Sequence, residues 1–351
     1  MPTLDQSLRA RTAIAHPAVA LKLPDGRIRC LACGHRCVIG EGKFGVCRVR
    51  YVQGGELRVP WGYVAALQCD PIEKKPFFHV LPGSDALSFG MLGCDLHCAY
   101  CQNWVTSQAL RDPSALSPPQ DITPEELVRT AKRHGAPVIA STYNEPLITA
   151  DWAVGVFQAA QAAGLECAFV SNGNATREVL QLLQPYVSYY KVDLKGFDDR
   201  HYRSLGCPLK NILDGISWLV EMGFWVEIVT LVVPGFNDAP EELRGIARFL
   251  AGISQDIPWH VTAFHPDYKM TDRDRTTTKN LRIAADAGID AGLNFIYAGN
   301  LPGRVGTLEN TYCPHCQALV VERVGYRILQ NRMTTGDCPD CRKPVPGRWQ
   351  G

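Results

Sequence analysis

The chain has 351 residues, of which 46% are hydrophobic and 20% charged, and its formal net charge is +1. That is globular composition at the size of one large domain with appendages, and it excludes a disordered chain and any general attraction to nucleic acid or anionic membrane. Near the N-terminus Asp5 is mixed with Arg9 and Arg11 instead of a basic segment leading into an apolar run, and nowhere do ~18 apolar residues follow one another. Neither an export signal nor a membrane span is expected, and the location reads as cytoplasmic.

In such a compartment fourteen cysteines argue for reduced thiols and metals, because glutathione works against structural disulfides. Eleven fall into three groups, while Cys69, Cys167 and Cys207 stand alone. Cys167, inside the apolar run 165–170, reads as core.

Taken in order, residues 1–29 carry little beyond a turn signal at Pro24 to Gly26. Cys30, Cys33, Cys37 and Cys47 follow within a Gly-rich stretch, a spacing that can close a tetrahedral zinc site or hold an iron-sulfur cluster. The structural reading, a metal knot stapling a segment too small for its own core, is preferred there to a functional one. Residues 57–66 look strand-like, and the charged, Pro-bounded stretch from Asp70 to His79 has the composition of a solvated turn.

Next come Cys94, Cys98 and Cys101, spaced C-x3-C-x2-C on one short loop. Three soft ligands suit an iron-sulfur cubane that leaves one iron open for a substrate or cosubstrate; the alternative is zinc with His97 as fourth ligand.

From Ala86 to Ala298 apolar, β-branched runs alternate with amphipathic, capped segments. Strands are expected at 86–91, 137–142, 165–170, 187–194, 224–233, 259–264 and 293–297. Helices are expected between them. The first opens with Thr123 as N-cap, Pro124 and a capping-box Glu126, and stops at Gly135. Continuous apolar strands alternating with helices imply parallel units covered on both faces: an α/β fold, a partial TIM-type β/α barrel of about six parallel β/α units. Ligand sites in such folds lie at the C-terminal strand ends, where the three cysteines, Asn144-Glu145, Ser171-Asn172, Asp193 with Lys195, and His265 all fall.

Cys94, Cys98, Tyr100 and Cys101 match C-x3-C-x-aromatic-C, and on that match the sequence resembles the radical S-adenosylmethionine (SAM) enzymes. The resemblance implies a [4Fe-4S] cluster on the three cysteines, SAM chelating the fourth iron, and reductive cleavage of SAM to a 5′-deoxyadenosyl radical that takes a hydrogen atom from substrate. Residues 30–300 look more closely like the pyruvate formate-lyase activating-enzyme homologues of the so-called AmmeMemoRadiSam gene group. Tyr143-Asn144-Glu145-Pro146 stands where that branch has Gly-Gly-Glu-Pro, which meets the SAM amino group. Val170-Ser171-Asn172-Gly173 resembles an Asp-Thr-Asn-Gly strand end, with Val170 in place of the Asp. Asp193-Leu194-Lys195 matches Asp-Leu-Lys, whose lysine faces the methionine part of SAM, and His265 matches a late histidine of similar role. Chemistry agrees: a zwitterionic methionine head needs an acceptor such as Glu145 and a donor such as Lys195 or His265, and Tyr100 offers an apolar wall.

Beyond the barrel, Cys313, Cys316, Cys338 and Cys341 form two C-x2-C knuckles around an alternating stretch broken at Gly325, a zinc-ribbon signal with a rubredoxin-like iron site as alternative. The chain therefore divides into an N-terminal segment with the four-cysteine module (1–83), a radical SAM barrel (84–305) and a ribbon (306–351). It is expected to abstract hydrogen from a protein or RNA substrate, using a flavodoxin- or ferredoxin-type one-electron reductant. The narrower alternative is a glycyl-radical-enzyme activating enzyme. From another class, the alternative is a non-catalytic zinc-dependent interaction protein.

Overall fold

A computed structural model describes residues 4–350 of the chain. Its centre is one eight-stranded sheet: β1 (Ala66–Pro71), β2 (Asp85–Gly90), β3 (Val138–Ser141), β4 (Glu166–Ser171), β5 (Tyr189–Asp193), β6 (Trp225–Val232), β7 (Trp259–Ala263) and β8 (Ile296–Gly299). The strands lie side by side in chain order, β2 to β8 parallel and β1 antiparallel at the edge. All seven expected barrel strands are present, and the sheet stays open between β8 and β1.

Burial explains the parallel arrangement. Every residue of β3 and β7 is buried, as expected of strands covered on both faces rather than on one. The outer cover comprises α1 (Pro124–Arg133), α2 (Ala150–Ala162), α3 (Arg177–Leu183), α4 (Asp199–Leu205), α5 (Leu209–Glu221), α6 (Pro240–Ile253) and α7 (Thr278–Asp290). The start of α1 is as read from sequence: the Thr123 hydroxyl accepts from the Glu126 N–H, and the Glu126 carboxylate accepts from the Thr123 N–H. The stretch 57–66, read as one strand, is broken at Trp61-Gly62 into Glu56–Pro60 and Tyr63–Val64; Gly62 has φ +75°, which a continuing strand does not tolerate.

The segment after β1 corrects the sequence reading most. Glu73, Lys75 and His79 are buried, and the segment is a plug, not a solvated turn. Ile72, Phe77, Val80 and Leu81 pack with Ala86, Val138, Ala140, Ala168 and Val170 from the strands, whose alanines leave room for it. Glu227 on β6, fully buried, accepts the N–H groups of Phe78 (2.9 Å) and His79 (3.0 Å) and pairs with His260 (2.7 Å). A hydrophobic residue count cannot anticipate charged residues turned inward onto a buried carboxylate.

The C-terminal ribbon has strands Thr311–Tyr312, Leu319–Val324 and Arg327–Asn331, all antiparallel. It packs on the plug and on β8 through Phe78, Phe295, Tyr297, Val320, Val321 and Trp349. Arg323 is buried in that contact, donating to the Phe78 carbonyl (2.7 Å) and the Thr311 hydroxyl (2.6 Å), with Glu73 4.0 Å from its Nε. The thiols of Cys313, Cys316, Cys338 and Cys341 all lie within 4.8 Å of one another, a set that could hold one metal ion. Among the described residues no helix is long and apolar enough to cross a membrane.

Candidate active site

The loop leaving β2 must pass close to the chain behind it. A Cβ at Gly90 would meet the Thr142 carbonyl at 2.4 Å, and Gly93 takes φ +95° beside the Cys47 carbonyl, so neither position admits a larger residue without rearrangement. The loop thus delivers Cys94, Cys98 and Cys101 to the C-terminal mouth of the sheet, where all three line one cavity of about 390 Å³. Cys94 Sγ accepts from the Leu96 N–H (3.4 Å) and Cys101 Sγ lies 3.1 Å from the Ser107 hydroxyl. Burial pushes all three thiols up, Cys98 to about 12. Ionising such thiols falls to a bound cation, as at metal-ligating cysteines.

These sulfurs are not gathered as the ribbon's are. Thiolates around one zinc sit roughly 3.8 Å apart, given Zn–S bonds near 2.3 Å and tetrahedral angles. Among the described residues only the ribbon cysteines come together at that scale. A polynuclear cluster spreads its ligands further than a single ion does. His97 is exposed, its ring against Gly206, and completes no zinc site.

Opposite the loop, Glu145 is buried and held from three sides. Its Oε1 accepts from the Ser171 hydroxyl (2.7 Å) and the Leu147 N–H (3.0 Å), its Oε2 from the Asn172 N–H (2.7 Å). Burial, and then the neighbouring Asp95 charge, pushes Glu145 up to about 8; a ligand ammonium at this carboxylate would restore its charge. Asn144 Oδ1 accepts from the Met91 N–H (3.0 Å), fastening this corner to the cysteine loop. Tyr143 keeps a left-handed φ of +68°, so the backbone bend survives where the resembling branch has glycine.

On β5 and just beyond it, Asp193 lies between Lys191, in direct contact, and Lys195, 3.3 Å away. Burial opposes ionisation of Asp193, yet the two lysines outweigh it and hold the carboxyl at about 2. Burial likewise opposes charge on Lys195, and Asp193 reverses that and raises it. Tyr100 is buried with its hydroxyl unpartnered and its ring 5.5 Å from that of Phe236, forming a wall of the cavity. His265 stands at the rim instead: its side chain is 51% exposed and bonds Gln102 (3.1 Å).

Some of the site was not read from sequence. Asp95, within the cysteine spacing itself, is fully buried and receives the side-chain amides of Asn172 and Asn174, each at 2.8 Å. Lys75 pairs with Asp70 (3.3 Å) and lies over the Tyr143 ring, at the cavity wall. Tyr326 of the ribbon hairpin lines the same cavity and donates to Asn300 Oδ1 (3.3 Å). Only the position of Asp95 between Cys94 and Cys98 could have pointed to any of these.

The model of the radical SAM superfamily matches residues 90–250, which carry the cysteine loop, Glu145 and the Asp193–Lys195 pair. An uncharacterized protein of Methanocaldococcus jannaschii is 36% identical over 328 residues, covering 92% of this chain and 96% of its own. The chain belongs to the radical SAM superfamily. Within it the pyruvate formate-lyase-activating enzyme of Staphylococcus aureus is 26% identical over 183 residues, 49% of this chain and 72% of that one. The choline trimethylamine-lyase activating enzyme of Oleidesulfovibrio alaskensis is 32% identical over 107 residues, 30% of this chain and about a third (34%) of its own length. Streptococcus suis SuiB overlays with TM-score 0.49 at 15% identity, over 65% of this chain and 52% of that chain, too loose a likeness to bear on substrate. This radical SAM protein is therefore an enzyme, and its family implies SAM and a [4Fe-4S] cluster.

Proposed function

We propose that Cys94, Cys98 and Cys101 hold the [4Fe-4S] cluster, that Glu145 and Lys195 bind the amino and carboxylate ends of SAM, and that the enzyme abstracts hydrogen from a protein substrate. When bound, the cluster supplies the electron that splits SAM into methionine and a 5′-deoxyadenosyl radical. The chain's own residues do the rest. Ser171 and Asn172 aim the Glu145 carboxylate, Asp193 keeps Lys195 charged, and Tyr100 with Phe236 keeps one wall dry. Enclosure matters because a primary carbon radical attacks nearly any C–H bond it meets. His265, at the rim, serves as a secondary contact at most for SAM bound within.

One observation carries the protein-substrate reading: Tyr326, on the exposed hairpin of the ribbon, lines the same cavity as the three cysteines. A substrate segment reaching the cavity would pass between that hairpin and the loop of Gln102 and His265. A test is to supply the reduced enzyme and SAM with deuterated cell extract separated into protein, RNA and small-molecule fractions. Deuterium should enter 5′-deoxyadenosine from the protein fraction; label from another fraction alone would sink this reading. A narrower reading, installation of a glycyl radical in a partner enzyme, is favoured by the two activating-enzyme relatives. It predicts a glycine-centred EPR doublet on mixing with that partner.

A further inference from the structure

The N-terminal cysteines are a set of thiols that neither this function nor the ribbon absorbs. Cys30, Cys33 and Cys47 are buried and Cys37 is half-buried. The chain folds them together: the Cys30 N–H bonds the Cys37 carbonyl at 2.9 Å, and the turn between them is closed by the Arg36 N–H on the Cys33 carbonyl. Yet among the described residues they do not draw together within 4.8 Å as the ribbon's four thiols do. In the ribbon the closest sulfurs are 3.6 and 3.7 Å apart, the spacing of ligands on one ion. In not closing to that scale the N-terminal set is like the central trio, and it has the same kind of donors around it. Cys37 Sγ accepts from the Val46 N–H at 3.5 Å, as Cys94 Sγ does from Leu96. The guanidinium of Arg50, fully buried and paired with Asp151, comes within 4.0 Å of Cys30 Sγ.

Location gives this a purpose. The module lies directly against the backbone of the catalytic cysteine loop. Arg111 joins them, donating from one nitrogen to the Cys94 carbonyl and from another to the Val46 carbonyl, each at 2.7 Å. His35 Nε2 is 3.2 Å from the Asp95 carbonyl, and the Gly34 N–H bonds the Asn174 carbonyl at 2.8 Å. On its outer side the module presents Val38, Phe44 and Val46, all exposed, around Cys37.

We infer that Cys30, Cys33, Cys37 and Cys47 bind a second iron-sulfur cluster, through which electrons enter the catalytic centre. The relay role rests on the radical SAM reading of the central site; the identity of the bound metal does not. One electron from an external low-potential one-electron carrier reduces the N-terminal cluster and passes on to the central one. The carrier is oxidised by that electron, and SAM is its eventual acceptor.

Metal analysis of the full chain, reconstituted anaerobically with iron and sulfide, decides the matter. The expected content is more than the about four irons of a single cubane, with no second zinc beside the ribbon's one ion. Cys98→Ala should keep iron and sulfide and, on reduction, an EPR signal from the N-terminal cluster alone. Cys37→Ser, at the half-buried ligand, should change that signal and slow SAM cleavage driven by reduced flavodoxin more than cleavage driven by dithionite; equal rates with both reductants, relative to wild type, would overturn the relay. Two zincs per chain in the wild type, or a Cys98→Ala protein free of iron, would overturn the inference. Neither result depends on turnover. Failure of the radical SAM reading would show separately, as no 5′-deoxyadenosine from the dithionite-reduced wild type.

Discussion

Two cysteine sets within one chain, the ribbon's four and the central loop's three, behave differently for physical reasons. The ribbon has two short knuckles on an antiparallel hairpin, closed around a point small enough for one ion. With four ligands it has no open position, and its contribution is to hold the hairpin against the plug through Arg323. The central loop presents three thiols to a cavity that Glu145 and Lys195 also line. Ligand count separates a site that braces from one that reacts.

The contrast breaks most visibly if the wrong set is removed. Cys98→Ala should abolish iron at the central site and bring 5′-deoxyadenosine down to background, while the ribbon keeps its metal; iron, zinc and nucleoside assays on one preparation would check it. Next in size, Glu145→Gln and Lys195→Met should each weaken SAM binding by roughly 10- to 100-fold, the worth of a charge-assisted hydrogen bond, with iron content unchanged. Equilibrium binding measures this, and unaltered affinity in both variants would move the SAM site elsewhere.

The ribbon predicts the opposite pattern. Cys338→Ser should cost on the order of 5 kcal/mol of local stability, by loss of the structural ion. Faster hydrogen exchange at residues 72–81 should report it, with central iron retained. A more gradual effect concerns pH. Burial pulls His79 down from 6.5 to about 4, beside the Pro346 carbonyl and the Tyr297 hydroxyl. Above pH 6.5 both folded and unfolded histidines are neutral; between 6.5 and 4 only the unfolded one takes a proton. The contact between ribbon and plug should therefore lose stability as pH falls through that window, by at most about 3 kcal/mol. Denaturant titrations at several pH values should show a shallower acid loss in His79→Asn than in the wild type.

Much of this was legible because local signals agreed with the global fold. The capping box at Thr123, the buried runs such as Val138–Ser141 and the two C-x2-C knuckles each specify local structure without help from elsewhere. Placing Glu145, Ser171 and Asn172 together needed only the rule that parallel strands gather their C-terminal ends, and they do touch. What stayed hidden depends on long-range pairing. Glu73 resembles a solvated charge until Arg323 is brought to it across the fold, and Asp95 gains its role only when Asn172 and Asn174 arrive from the loop after β4. Nor does a strand-end position say how deep a side chain sits: His265 falls at the exposed rim, bonded to Gln102.

The most direct test of the central claim is 5′-deoxyadenosine formation. Anaerobically reconstituted, dithionite-reduced wild-type protein is mixed with SAM, in parallel with Cys98→Ala. The account predicts 5′-deoxyadenosine and methionine in the wild type only. A wild-type protein whose central site carries its about four irons, yet yields no more nucleoside than the variant, would contradict it.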